Sequence, residues 1–276
     1  MIIVKFTGGL GNQMFQYAFG KACSLKARVP LFLDLAWYKS KKRKFLLGEL
    51  RVSYDMSSES SLRVGAMKLI RRPRIFKDAG FFEERNMEAA GNAFLEGSWE
   101  SYRYFDSIAD DIKKEFVLKK PSGRFIELSR SIPPDSIAVH VRRGDYLIPH
   151  GKYLNNAEYY DKGVEHILKV RAMNDPLVMI FSDDPEWCRQ ELRSLAGRPT
   201  EIFSERLASD AEELALMSLY GNNVISNSTF SWWAAYLNPH PDKIVVMPEN
   251  WYTEKERNER YLDGMKAPGW IIIGRP

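Results

Sequence analysis

Two kinds of apolar pattern alternate at the start of the chain. A continuous run, IIVKF (2–6), precedes NQMFQYAFGKACSLKAR (12–28), where Met14, Phe15, Ala18, Phe19 and Ala22 recur at helical spacing; a second continuous run, VPLFLD (29–34), follows. Continuous apolar runs suit strands buried on both faces of a parallel sheet, and the 3.6-residue spacing suits the helix crossing between them. This predicts one βαβ unit. From 35 to about 120 the pattern is irregular, aromatic-rich and charged, and only scattered helix is predicted there. KKPSGRF (119–125) and IPPD (132–135) carry the turn residues of a linker. Regular alternation then resumes, with strands IAVHV (137–141), LVMIFS (177–182), EIF (201–203), NVIS (223–226) and KIVVM (243–247) between helices near 157–171, 185–195, 211–220 and 230–237. Five strands alternating with helices predict a doubly wound parallel sheet. The expected architecture is α/β: two Rossmann-like domains, 1–125 and 126–276, facing a cleft.

Composition narrows the class. A chain of 276 residues, 45% apolar and 13% aromatic, is long enough for two cores and is no disordered tail. Cys23 and Cys188 cannot staple a chain of this size, and without a CxxC or a Cys/His cluster no metal site is expected; a reducing compartment follows. The start MIIVKF lacks the marks of a secretory leader, and nowhere do eighteen apolar residues run together, so a cytoplasmic protein is expected. The net charge of +4 is mild, but basic residues cluster in KSKKRK (39–44) and RRPR (71–74). Such runs are ordinarily solvated faces; attraction to an anionic surface, here peripheral contact with the inner membrane, is the functional alternative. No nucleic-acid partner is assigned.

Ligands of open parallel sheets bind beyond the carboxyl ends of the strands. Four polar loops have that address: TGGLGNQ (7–13), RRGD (142–145), SDD (182–184) and SNSTF (226–230). In the first, Gly9 and Gly11 make a tight turn opening a helix, and Asn12 and Gln13 are expected to donate to a ligand. A dinucleotide fingerprint would want a third glycine where Met14 stands, although Asp34 is placed like a ribose-binding acid. Arg142 offers a rigid fork that matches phosphate oxygens, with a structural ion pair to Asp145 as the plain alternative. His140 shares its strand face, and Arg143 points the other way. Ser228 or Thr229 suits a helix N-cap, and that helix start suits a phosphate. Trp232 and Trp233 read as packing. Asp183 reads equally as a nucleoside contact or as the cap of the helix from Pro185. No HExxH, GxSxG, GxxxxGK[ST] or DxD occurs, which excludes the zinc-protease, α/β-hydrolase and P-loop classes and leaves a diphosphate to arginine and backbone amides.

GGLGNQMFQYAFG, HVRRGDY, FSDDPEWC and ISNSTFSWWAAYLN, in this order and closing with PENWY, resemble the bacterial α-1,2-fucosyltransferases, relatives of the animal blood-group H enzymes. The resemblance implies a GT-B fold, GDP-fucose as donor substrate, inversion at the anomeric carbon, no metal or other cofactor, and a galactose-terminated oligosaccharide or lipid-linked glycan as acceptor. It further implies that Arg142 binds the donor diphosphate with support from His140 and Asp145. Ser228, Thr229 and Phe230 would meet phosphates through backbone amides, with Asn227 also at the donor; Asp183 would meet the guanosine, and Gly9, Gly11, Asn12 and Gln13 would close the cleft from the acceptor side. Asp145 is the candidate general base, with Glu213 or no protein base as alternatives. A nicotinamide oxidoreductase and a non-catalytic glycan binder are the competing classes.

Overall fold

In the computed structural model of the protein, residues 1–40, 43–89, 91–144, 153–192, 195, 199–205 and 207–274 are described. The chain divides into two compact units, Met1–Lys119 with Asp263–Met265, and Lys120–Leu262 with Lys266–Pro276.

The first unit holds β1 (Ile2–Lys5), α1 (Leu10–Ala27), β2 (Leu31–Asp34), β3 (Met56–Ser58), α2 (Ser61–Arg71), β4 (Arg74–Lys77), β5 (Ala93–Glu96) and α3 (Ala109–Glu115). Its sheet is ordered β3-β2-β1-β5-β4 and is parallel throughout. The predicted βαβ unit is therefore present, and the segment that resisted reading from sequence supplies three more strands. Those strands are three or four residues long, too short for their pattern to declare itself. The same segment completes the core. Phe19 of α1 packs 4.6 Å, ring to ring, from both Trp99 and Tyr104, which are fully buried. On the other face α2 packs Val64 and Met67 against Ile3, Phe32 and Phe94. Close helix–strand approach, which a dinucleotide fingerprint would assign to the position held by Met14, falls instead at Gly20, where a Cβ would run into Val4.

The second unit holds α4 (Gly123–Ser131), β6 (Ser136–Val141), α5 (Ala157–Arg171), β7 (Leu177–Ser182), α6 (Pro185–Glu191), β8 (Thr200–Ile202), α7 (Asp210–Met217), β9 (Asn222–Val224), α8 (Thr229–Leu237), β10 (Val245–Pro248), α9 (Lys255–Met265), whose last three residues group with the first unit, and β11 (Ile271–Ile273). The parallel order β11-β10-β9-β6-β7-β8 is the doubly wound 3-2-1-4-5-6 arrangement counted from β6. The five expected strands are found, and β11 extends the sheet at one edge. Ile137, Val139 and Val141 of β6 join Tyr160, Val164 and Ile167 of α5 in the core. Trp232 and Trp233 are fully buried, as their packing reading expects, and Trp232 stacks on Tyr236 at 4.9 Å. Among the described residues no helix is long and apolar enough to cross a membrane.

Candidate functional site

A doubly wound sheet opens a crevice where its strand order reverses, because the connections on either side leave in opposite directions. In the second unit that point lies between β6 and β9, which are hydrogen-bonded neighbours. The loop after β6 is Arg142-Arg143-Gly144, and the loop after β9 is Ile225-Ser226-Asn227-Ser228. They are joined across the switch point by His140 Nδ1 and Ser226 Oγ, 2.8 Å apart. The His140 imidazole is buried and lies 5.8 Å, ring to ring, from Phe230. Burial, and after it the charge of Arg142, holds its pKa down to about 3. At neutral pH it is an uncharged hydrogen-bonding group.

The two arginines part as strand alternation requires. Arg143 follows Val139 and Val141 to the α5 side, where its guanidinium lies 4.1 Å from the centre of the Trp187 ring and its Nε donates to Asp184 Oδ2 at 3.1 Å. Its side chain is 13% exposed. Arg142 lies on the His140 side, with a side chain 31% exposed, and pairs with Asp183 Oδ2 at 3.1 Å. The expected plain partner, Asp145, lies outside the described residues, and the ion pair seen is with Asp183.

Asp183 has a role that neither sequence reading offered. Its carboxylate also accepts from the backbone N–H of Arg143 (2.9 Å) and of Gly144 (3.1 Å), so it clasps the whole turn after β6. A Cβ on Gly144 would stand 2.7 Å from Asp183 Oδ2, which accounts for the glycine. The helix cap expected of Asp183 belongs to its neighbour: Asp184 Oδ1 accepts from Trp187 N at 3.1 Å. Both carboxylates of the SDD loop are therefore turned onto arginines and backbone amides.

Two other assignments change. Asn227 is buried; its Nδ2 donates to Tyr153 O (2.6 Å) and Trp251 O (3.2 Å), and its Oδ1 accepts from Asn155. Its side chain ties three segments together rather than facing a ligand. Gln13, in the first unit, is fully buried; it donates to Gly8 O and Lys44 O and accepts from Leu46 N and Leu47 N. All four hydrogen-bonding positions of the carboxamide are used, so none is left for a ligand. Gly8 sits at φ +80°, where a side chain would be strained, and a Cβ on Gly9 would stand 3.0 Å from Arg43 Nη1. That end of the KSKKRK run thus lies against the glycine turn; Lys41 and Lys42 lie outside the described residues. Gly11 is buried and Asn12 partly exposed. Asp34 is buried and accepts from Ala36 N at 3.1 Å, closing a turn of its own.

Ser228 caps α8, its Oγ accepting from Phe230 N at 3.4 Å, and Ser228, Thr229 and Phe230 remain partly exposed. Glu213, in the first half of α7, is partly buried; burial and then Asp210 raise its carboxyl above the usual range. Sequence reasoning missed Ser226, which bridges to His140, and Tyr159, whose hydroxyl donates to Ile225 O at 2.6 Å. It also missed Asn258, which holds the PENWY turn through Trp251 N, Tyr252 N and Glu249 O. The Ser in ISNS was a readable signal, two residues past the end of a short strand beside β6; Tyr159 and Asn258 carried none.

Arginine at one side of the switch point and a helix N-terminus at the other are groups whose chemistry suits an anion. The chain is 31% identical to an α-1,2-colitosyltransferase of Escherichia coli, over 94% of each chain. It is 26% identical to the galactoside 2-α-L-fucosyltransferase Sec1 of Mus musculus, over 86% of this chain and 64% of that one. Among solved structures, the α-1,6-fucosyltransferase NodZ of Bradyrhizobium, soaked with GDP-fucose, superposes with a TM-score of 0.55 at 16% identity, over 89% of this chain and 94% of that one. Its likeness shows the fold, two parallel sheets of the GT-B-like kind. The sequence model of glycosyl transferase family 11 matches residues 78–274, a span that takes in the arginine turn, the SDD loop and the start of α8, and the chain belongs to that family.

Proposed function

We propose that the protein moves L-fucose from GDP-β-L-fucose to the 2-hydroxyl of a terminal β-galactoside, with inversion and without a metal. The second unit would bind the donor and the first would serve the acceptor, an oligosaccharide or a lipid-linked glycan met in the cytoplasm. The observation that carries this reading is the placement of Arg142 and the partly exposed start of α8 beyond the ends of the neighbouring strands β6 and β9, at the switch point. In the reaction the bond from the anomeric carbon to the diphosphate breaks as the bond to the galactose oxygen forms. Negative charge grows on the departing diphosphate, and the hydroxyl proton leaves to a base. A guanidinium and the amide dipoles of a helix start oppose that charge without having to reorganise.

Arg142 must then serve two partners. One guanidinium nitrogen faces Asp183 at 3.1 Å, and a diphosphate would be met by the same planar fork. Asp183 sets the fork's plane and lowers the cost of a partly buried charge before the donor arrives. His140, neutral, acts as a hydrogen-bonding strut between the two loops rather than as the base. Asp145 is the proposed base, and the raised carboxyl of Glu213 keeps it the second candidate.

Turnover of GDP-fucose with a panel of β-galactoside disaccharides tests the proposal, with the product linkage read by NMR. An α-1,2-fucosylated galactose is the expected product; binding of GDP without transfer to any galactoside would overturn the acceptor assignment. The similarity to a colitosyltransferase supports a second donor reading. A parallel assay with nucleotide-activated colitose distinguishes the two by their kcat/KM.

A further inference from the structure

The outer face of α2 is built the wrong way round for a helix that only packs on a sheet. Its apolar stripe of Leu62, Ala66, Leu69 and Ile70, at the i, i+4, i+7, i+8 spacing of one helical face, points to solvent, while the sheet receives Val64, Met67 and the stem of Lys68. Leu62 is 87% exposed, Ile70 76% and Leu69 75%, and Ile75 of the adjoining edge strand β4 is 61% exposed. These are the four most exposed large apolar side chains among the described residues, and they fall within fourteen positions of one another.

Between Glu59 and Asp78 the charge has one sign. From Ser60 to Lys77 the sequence has Arg63, Lys68, Arg71, Arg72, Arg74 and Lys77 and no acid, a charge of +6 against +4 for the whole chain. The rest of the protein sums to −2, even with the basic run KSKKRK (39–44) counted in it. Of the six cations from Arg63 to Lys77, all but Lys68 are exposed; Lys68 sits over the Phe94 ring. We infer that α2 with β4 is a docking face for an anionic lipid surface: the aliphatic stripe enters the headgroup boundary and the flanking cations meet lipid phosphates. A second copy of the chain is disfavoured, because a symmetric pairing would set six cations against six. Nucleic acid is disfavoured too, because the face offers aliphatic side chains where base or sugar contacts would be needed. The inference does not depend on the transferase reading.

Co-sedimentation of the full chain with vesicles of neutral phosphatidylcholine, and of the same lipid with phosphatidylglycerol, tests it. The protein should bind the anionic vesicles, release in high salt and leave neutral vesicles unbound. Arg71→Gln with Arg72→Gln should weaken binding roughly 25-fold, and Leu69→Ser with Ile70→Ser about 10-fold or more, with unchanged melting temperatures. Turnover with a soluble acceptor should be the same in all three proteins. Equal binding to both vesicle types, or no difference between wild type and variants, would overturn the inference. So would self-association in sedimentation velocity that the serine variant abolishes, or capture of an oligonucleotide in preference to vesicles.

Discussion

Asp183 and Arg142 form an unequal pair. Arg142 gives one guanidinium nitrogen to Asp183, whereas Asp183 is committed to a guanidinium and two backbone amides. Removing the carboxylate therefore frees the turn, and removing the guanidinium only empties it. Asp183→Asn should lower stability by roughly 1–3 kcal/mol, since an amide returns one acceptor and turns a donor toward donors. Arg142→Lys keeps the charge but loses the fork, so it should behave like Arg142→Ala, with a transition-state cost on the order of 3 to 4 kcal/mol and a normal melting curve. A folded Arg142→Ala protein with near-normal kcat would make the residue a structural partner of Asp183 and nothing more. His140 supplies a pH test. Its pKa is about 3 in the folded protein against an ordinary 6.5, so the unfolded chain binds a proton that the folded chain refuses. That stability is complete above about pH 6.5 and is lost as pH falls toward 3, on the order of a few kcal/mol in all. Urea melts at pH 7, 5 and 4 should show a steeper loss in the wild type than in His140→Asn, and parallel slopes would refute the assignment.

At the scale of elements, helix ends set both the site and a reserve of stability. The start of α8 is capped by Ser228 and stays partly exposed, while its body is anchored by two buried tryptophans, so the amide dipoles at its N-terminus are held on a rigid base. Three helices end less economically. Arg28 after α1, Arg72 after α2 and Ala172 after α5 all sit at left-handed φ near +50°, where glycine is the usual residue. Ala172 is exposed and donates its N–H to Leu168 O, a bond that glycine would keep. Ala172→Gly should thus stabilise the second unit by about 0.5–1 kcal/mol, read as a higher urea midpoint with an unchanged slope.

Across the whole molecule, the proposed handling of charge makes no use of a metal. Among the described residues, the two acids of the SDD loop are engaged by arginines and amides, so a divalent cation held by them would have to displace those partners. Transfer should therefore persist in EDTA. Abolition by chelation and rescue by manganese would show that the leaving-group charge is managed in another way. Much of this molecule was legible in the chain. Continuous apolar runs announced β1, β2, β6 and β7, because strands buried on both faces need no polar alternation, and the helix read at 157–171 is α5 to the residue. Placing the polar loops at strand ends followed from the same alternation. Tertiary structure alone decided the rest. The middle of the first unit owes its order to partners far along the chain, as where Gln16 donates to Gly97 O or Phe19 packs on Trp99, and no local window contains such a pair. The direction of a polar side chain was equally hidden. Gln13, Asn227 and Asp183 have the residue types of ligand contacts, yet each is engaged by backbone or side-chain groups of its own protein. Sequence carries the hydrogen-bonding capacity of a side chain, but which donors and acceptors stand within three ångströms of it is settled only when distant loops are folded against one another.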